Sequence, residues 1–312
     1  MRHQGCPNLR GCLRAPLWYT RAMLPLNLGV TAVMLPELDF PEQLELCARL
    51  GIRCYQLRPR HIPDAERGKR PSPWGAHRFD LTPERLVREG AEIAARLAGA
   101  GMEPWGTLPA ASIDDPDDVL KLHAEGAAAS GAGRVRIAPA PYPTRPFAYR
   151  ELLARAVDRY AAIVERVTRP AGVKVLIETH CGSLAASPGL AFALAAGFAP
   201  RDLGVILDVA NFAREGAVAP VLAVAVLRDW IDCVHIGGNR RFDAPVDAFG
   251  CRKVESRFCP LDESDLNAPA WLDAISAAGI RPPLIIEDFG EYADGPGRLA
   301  RSAAVLRRIL ER

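Results

Sequence analysis

Short β-rich runs that end in a loop and lead into an amphipathic stretch recur along this whole chain, and that alternation argues for a parallel sheet with helical crossovers. The strand candidates are NLGVTAVM from Asn27, IRCYQLR from Ile52, MEPWGTL from Met102 and RVRIAPA from Arg134. They continue with VKVLIE from Val173, GVILD from Gly204, WIDCVHI from Trp230 and PLIIE from Pro283. Apolar residues recur every three or four positions around 41–50, 83–99, 115–130, 148–168, 188–197, 214–228, 264–278 and 296–311, the spacing of helices that bury one face. Thr82-Pro83, Asp115-Pro116 and Ser187-Pro188 each put a capping residue before a proline suited to the first helical turn. Gly51, Gly101, Gly133 and Gly279 stand where a helix would stop ahead of a strand. The pattern predicts an α/β fold, a single (β/α)8 TIM barrel over 26–312. An open doubly wound sheet is the alternative, but it calls for a Gly-rich turn after the first strand, where this chain has Leu35-Pro36-Glu37.

With 312 residues, 49% of them hydrophobic, the chain can bury a large core. Its formal charge of +2, with acids and bases interspersed, makes no field that would draw it to nucleic acid. Eight cysteines without a C-x-x-C pair read as reduced thiols of a cytoplasmic protein. No apolar run reaches the roughly 20 residues of a membrane-spanning helix. Residues 1–25 are expected to be a poorly ordered extension. Proline and arginine break its apolar runs below signal-peptide length, so secretion is not expected. A targeting segment, or an early start ahead of Met23, remains an open reading of the same residues.

The positions that speak of chemistry are the last residues of strand candidates five to eight, because those ends of a barrel face one mouth. They are Glu178, Asp208, His235 and Glu287, and each follows an apolar run. Any one carboxylate there could simply cap the next helix. Three of them about 5 Å apart would repel by roughly 3 kcal/mol per pair at an effective dielectric near 20, so the set needs a cation or shared protons. Three carboxylates and one imidazole form a hard donor set that favours Mn²⁺, with Mg²⁺, Co²⁺, Fe²⁺ or Zn²⁺ as alternatives. Such an ion would stabilise the enediolate formed when a proton leaves the carbon beside a ketone. Glu178 and Glu287 are the natural pair to remove and return that proton.

At these residues the chain resembles the xylose-isomerase-like sugar phosphate isomerases and epimerases, and its chemistry looks closest to that of the ketose 3-epimerases. The resemblance covers nearly everything after Leu26, including LELCARLGIRCYQLR and CPLDESDLN. The latter looks like the family's P-L-G-E-G-x-x-D segment without its glycines. The family's metal set, Glu, Asp, His, Glu in chain order, is reproduced. The resemblance implies that the two metal-bound glutamates exchange the proton. HIGGNR from His235 is similar to the epimerases' H-T-G-x-x-N-R, which implies substrate contact by Arg240, or by Arg241 because the spacing is one residue shorter. Where the family has D-x-x-H after strand six, this chain has Asp208-Val209-Ala210-Asn211, so a polar contact through Asn211 is expected without an imidazole.

His180 is expected either to touch substrate or to hydrogen-bond within its loop. Arg136 and Arg58 offer guanidinium groups to a phosphate or carboxylate, or else pair with a neighbouring acid. Trp105 reads as barrel packing. The loop 59–80 and the insertion 238–262 are long connections that either close over the substrate or decorate the surface. The expected partner is a small carbohydrate, and a homo-oligomer is left open. The alternatives are a metal-dependent dehydratase of a keto-cyclitol or dehydroshikimate-like acid, an apurinic-type endonuclease, and a non-catalytic sugar or metal binder.

Overall fold

A computed structural model describes residues 27–215, 218–246 and 248–312, so the expected extension over 1–25 lies outside the described residues. The first seven strands in chain order are β1 (Leu28–Thr31), β2 (Cys54–Leu57), β3 (Glu103–Thr107), β4 (Arg134–Arg136), β5 (Lys174–Glu178), β6 (Leu203–Asp208) and β7 (Ile231–Ile236). An antiparallel hairpin of β8 (Asn239–Val246) and β9 (Arg252–Phe258) follows, and β10 (Leu284–Ile286) completes the set. β1 to β7 and β10 pair in parallel and close into a ring, β10 lying between β7 and β1. This is the closed eight-stranded (β/α)8 barrel that the sequence pattern predicts.

The surrounding helices are α1 (Phe40–Arg49), α2 (Pro83–Gly99), α3 (Asp117–Ala129), α4 (Tyr149–Ile163), α5 (Pro188–Ala195), α6 (Val209–Glu215), α7 (Pro220–Leu227), α8 (Ala268–Ala277) and α9 (Gly295–Leu310). Thr82 and Ser187 cap α2 and α5 through their hydroxyls, and Gly51, Gly101, Gly133 and Gly279 take positive φ at helix ends. Asp115 departs from expectation, because its carboxylate accepts the Ser112 backbone N–H at 2.8 Å and α3 begins without a side-chain cap.

Alternate residues of a strand face opposite ways, so the inside of the barrel is built in layers two residues apart. Lowest lies Asp232, at a register shift between β6 and β7 that breaks the strict alternation, its carboxylate 2.6 Å from Arg134 and 2.8 Å from Lys174. Above it Cys54, Leu176, Ile206, Cys233 and Ile285 form an apolar plug, with Trp105 packed against it and its ring centroid 3.9 Å from the Arg134 guanidinium carbon. Trp105 is therefore barrel packing. Two residues further along these strands stand Gln56, Arg136, Glu178, Asp208, His235 and Glu287, which puts polar groups on an apolar floor. The other strand face, including Val135, Val175, Ile177, Val205, Leu207 and Val234, is buried in the larger core beneath the helices.

Three boundaries differ from the sequence reading, each for a local reason. The helix expected over 214–228 is two helices: α6 starts directly at Val209, and Pro220 opens α7 at a position that needs no backbone N–H. The helix expected from 264 starts at Ala268, where the Asn267 side chain accepts the Ala270 N–H at 3.1 Å. The insertion 238–262 folds as the β8–β9 hairpin, in which Phe242, Ala244 and Val246 alternate along a largely exposed β8, a short pattern that the strand reading did not take up. CPLDESDLN holds that hairpin in place: the Ser264 hydroxyl accepts the Asn239 N–H and the Asp265 carboxylate accepts the Arg241 N–H. The six described cysteines form no disulfide with one another.

Candidate metal centre

Glu178 ends β5, Asp208 ends β6, His235 is the penultimate residue of β7, and Glu287 lies one residue beyond β10. Asp208 pairs with His235 across adjacent strands, whereas Glu178 pairs with Ile206 and His235 with Ile285, a two-residue stagger that the tilt of barrel strands accommodates in bringing all four to one rim. One ligand-type atom from each of the four lies within 4.8 Å of the others. Opposite donors on a single ion with bonds of about 2.1 Å are about 4.2 Å apart, so the donor set fits one divalent cation. The floor beneath is apolar and His235 has no solvent exposure.

The close approach of the last two barrel strands at the rim depends on Gly237. A Cβ there would overlap the Glu287 carbonyl oxygen, so any larger residue would push a member of the cluster out of position.

Gln56 is the residue the sequence reading missed. It is fully buried on β2, its Nε2 donates to Cys233 Sγ at 3.6 Å, and its Oε1 lies 2.9 Å from His235 Nε2. Because Oε1 only accepts, Nε2 of His235 carries the hydrogen, and Nδ1 faces Glu287 at 2.9 Å and Glu178 at 3.3 Å. A neutral ring would then aim its lone pair at two carboxylates, an arrangement that requires a proton or a cation between them. A polar residue at an inward position of an otherwise apolar strand was the signal for it. We expect Gln56→Leu to weaken divalent-ion affinity about 10–100-fold by releasing the histidine orientation, read by competition against a chromogenic chelator. Unchanged affinity would show that Gln56 only fills space.

The electrostatics match this geometry. Burial pushes Asp208 well above the ordinary carboxyl range, reinforced by the charges of Glu287 and Glu178. Burial also acts to raise Glu178, but Arg136 and then His235 outweigh it and hold the carboxyl down at about 2. Burial would lower His235, yet Glu287 and the other surrounding groups raise it well above its usual value.

The remaining expected residues have distinct places. Arg136 pairs with Glu178 at 2.9 Å and donates to the Pro109 carbonyl at 2.8 Å, so a neighbouring acid is its partner here. Asn211 donates through its side-chain amide to Asp208 Oδ2, while its backbone N–H reaches Asp208 Oδ1 at 3.0 Å. Asp208 is thus both a member of the cluster and the cap of α6. His180 Nδ1 bonds the Cys181 carbonyl at 2.7 Å, and its ring borders the cavity. Arg240 is exposed on β8, 5.8 Å from the Phe242 ring, and does not line the cavity.

That cavity, about 450 Å³, opens above Glu178, Asp208 and Glu287. Both long connections reach it, the first through Arg60 and Trp74 and the second through Phe258. Phe289, beyond β10, joins them: its ring centroid is 5.0 Å from that of Trp74 and 5.5 Å from that of Phe258.

The site thus sits at the C-terminal mouth of a closed (β/α)8 barrel, with a carboxylate–histidine cluster whose geometry could hold a metal ion. Residues 44–309 match the family described as xylose isomerase-like TIM barrel, and the chain belongs to that family. Solved structures agree in fold. The IOLI protein with a bound zinc atom is 14% identical with a TM-score of 0.70, covering 92% of this chain and 98% of that one. An L-ribulose 3-epimerase is 15% identical with a TM-score of 0.65, covering 92% and 95%. The probable 3-DHS dehydratase AsbF of Bacillus anthracis is 17% identical with a TM-score of 0.66, covering 90% and 99%. At these identities the likeness is one of fold. No curated protein matches the chain by sequence. Among the described residues no helix is long and apolar enough to cross a membrane.

Proposed function

We propose that this protein is a divalent-metal-dependent isomerase or epimerase that moves a proton on carbon in a small sugar or keto-sugar. The observation that carries the reading is the four-residue cluster, gathered within 4.8 Å and opening onto one cavity. Glu178, Asp208, His235 and Glu287 would hold the ion, and the oxygen-dominated set favours Mn²⁺. When bound, the ion supplies Lewis-acid polarisation of adjacent substrate oxygens and offsets the negative charge left when a proton departs.

The chain's own groups do the rest. Arg136 keeps Glu178 ionised, so that carboxylate can accept a proton rather than donate one first. β5 and β10 stand three places apart around an eight-stranded ring, so Glu178 and Glu287 come to the cavity from different sides. That placement suits removal of a proton from one face of a carbon and its return to the other. Trp74, Phe258 and Phe289 give the mouth apolar walls that exclude water from a bound sugar.

The test is incubation of the Mn²⁺-reconstituted protein with a panel of free and phosphorylated ketoses in deuterated water. Deuterium uptake at the carbon beside the carbonyl is expected for at least one of them. Silence across the panel, with the ion shown to be bound, would overturn the reading. The same cluster would also serve a dehydratase of a keto-cyclitol or dehydroshikimate-like acid, which Arg58 and Arg60 on the cavity wall favour. Release of water with formation of a conjugated, ultraviolet-absorbing product would select that reaction.

A further inference from the structure

Four arginines, Arg58, Arg60, Arg136 and Arg214, line the cavity together with three carboxylates. The wall therefore carries one positive charge in excess before any ion is counted, and three once a divalent cation joins the cluster. Only Arg136 is neutralised directly, by Glu178. Among the described residues Arg58, Arg60 and Arg214 make no ion pair, and the three carboxylates converge on one another and on His235 instead.

Arg58 is the informative member. It is 7% exposed, and its one hydrogen bond is a donation to the Gly75 carbonyl at 3.3 Å. A guanidinium has five N–H donors, so a buried one with a single neutral acceptor retains most of its bonding capacity. Burial and the neighbouring charge of Arg60 draw it down to about 10, with Asp80 opposing, so it stays cationic at neutral pH. His77, packed beside it, adds no charge there: burial and Arg58 lower the ring to about 4. Keeping an unpaired buried cation costs stability, and the cost is recovered when an anion arrives.

Arg58 and Arg60 leave β2 two residues apart, and Arg214 comes from α6, across the barrel mouth from that strand. We infer that the substrate carries an oxyanion, a phosphate or a carboxylate, which docks against Arg58 and Arg60 with Arg214 closing from the opposite side. This deepens the isomerase reading by assigning its substrate class, and it rests on that reading only for what happens at the other end of the molecule. Guanidinium groups in pairs suit the planar, bidentate recognition of such oxyanions. Trp74 and Phe289, with ring centroids 5.0 Å apart, line the same cavity and offer apolar surface to the uncharged carbons of a sugar.

The experiment is calorimetric titration of the full chain, with and without Mn²⁺, using glycerol 3-phosphate, D-glycerate and glycerol as probes. At least one anion is expected to bind about ten-fold or more tighter than glycerol in the metal-free protein as well as the loaded one. The stronger of the two names the anion as phosphate or carboxylate. Arg58→Gln and Arg60→Gln should each lose about ten-fold for that anion and leave glycerol unchanged. Should the buried Arg58 variant fail to fold, Arg60→Gln and Arg214→Gln, at less buried positions, carry the same comparison. Anions binding no better than glycerol, or retaining wild-type affinity in the folded variants, would overturn the inference. Anion binding that depends on arginine in a protein that never takes up Mn²⁺ would instead sink the metal reading and leave this one standing.

Discussion

Glu178→Gln and Glu287→Gln are each expected to reduce deuterium exchange into a responsive ketose by about 10³-fold while the barrel stays folded. The size follows from what a positioned carboxylate contributes to proton transfer, roughly 10²–10⁴-fold, since an amide of the same shape cannot accept the proton. The two variants should differ in their side effects. Glu178 is the carboxylate partner of Arg136, so Glu178→Gln leaves that arginine without its charge pair and should also lower the melting temperature. Among the described residues the Glu287 carboxylate is bonded to His235 and to no arginine, so its replacement should be milder for stability. Circular dichroism and mass-detected exchange on the same preparations check both halves, and normal exchange in either variant would remove that residue from the proposed mechanism.

Asp208→Asn is expected to have effects of opposite sign on the metal-free and metal-loaded protein. Among three clustered carboxylates, Asp208 is the one that burial and its neighbours push well above the ordinary range, so without an ion it is the member that costs most to ionise. Asparagine removes that burden and keeps an oxygen for the Asn211 N–H, so the metal-free variant should melt no lower than wild type. Divalent ions at about 100 times their dissociation constant should stabilise the wild type by about 2.7 kcal/mol. That corresponds to a rise on the order of 5–10 °C in the melting temperature. In the variant the rise should nearly vanish. Equal metal-induced shifts in both proteins, by differential scanning calorimetry, would show that Asp208 is not a ligand.

The barrel was legible because buried parallel strands are unmistakable as apolar runs: Val175-Leu176-Ile177, Val205-Ile206-Leu207 and Leu284-Ile285-Ile286 all lie in the barrel wall, and the polar residue after each reaches the mouth. The hairpin was not read from the sequence: only Phe242, Ala244 and Val246 mark β8 as a strand, and the bonds that tie it to the barrel come from Ser264 and Asp265, about two dozen residues further on. Asn211, expected to offer a polar contact to the substrate, lines the cavity and also donates its amide to Asp208, a bond that its place one turn along α6 makes short and local. Arg240 was carried over by likeness to a motif one residue longer, and in this chain it lies out on β8. Gln56 could have been flagged by period-two counting along Cys54-Tyr55-Gln56-Leu57, which places it over the bore. Its partner His235 is far away in the chain, and only closure of the ring brings the two together.

Position 208 carries two duties on one side chain. The carboxylate that joins the cluster also secures the first turn of the short helix behind it, and that helix delivers Arg214 to the rim. A mutation there that abolished both oxygens would loosen the backbone beneath a cation some six residues on. Asparagine, serine or threonine could still anchor that helix start, but only aspartate combines the anchor with a charged ligand oxygen.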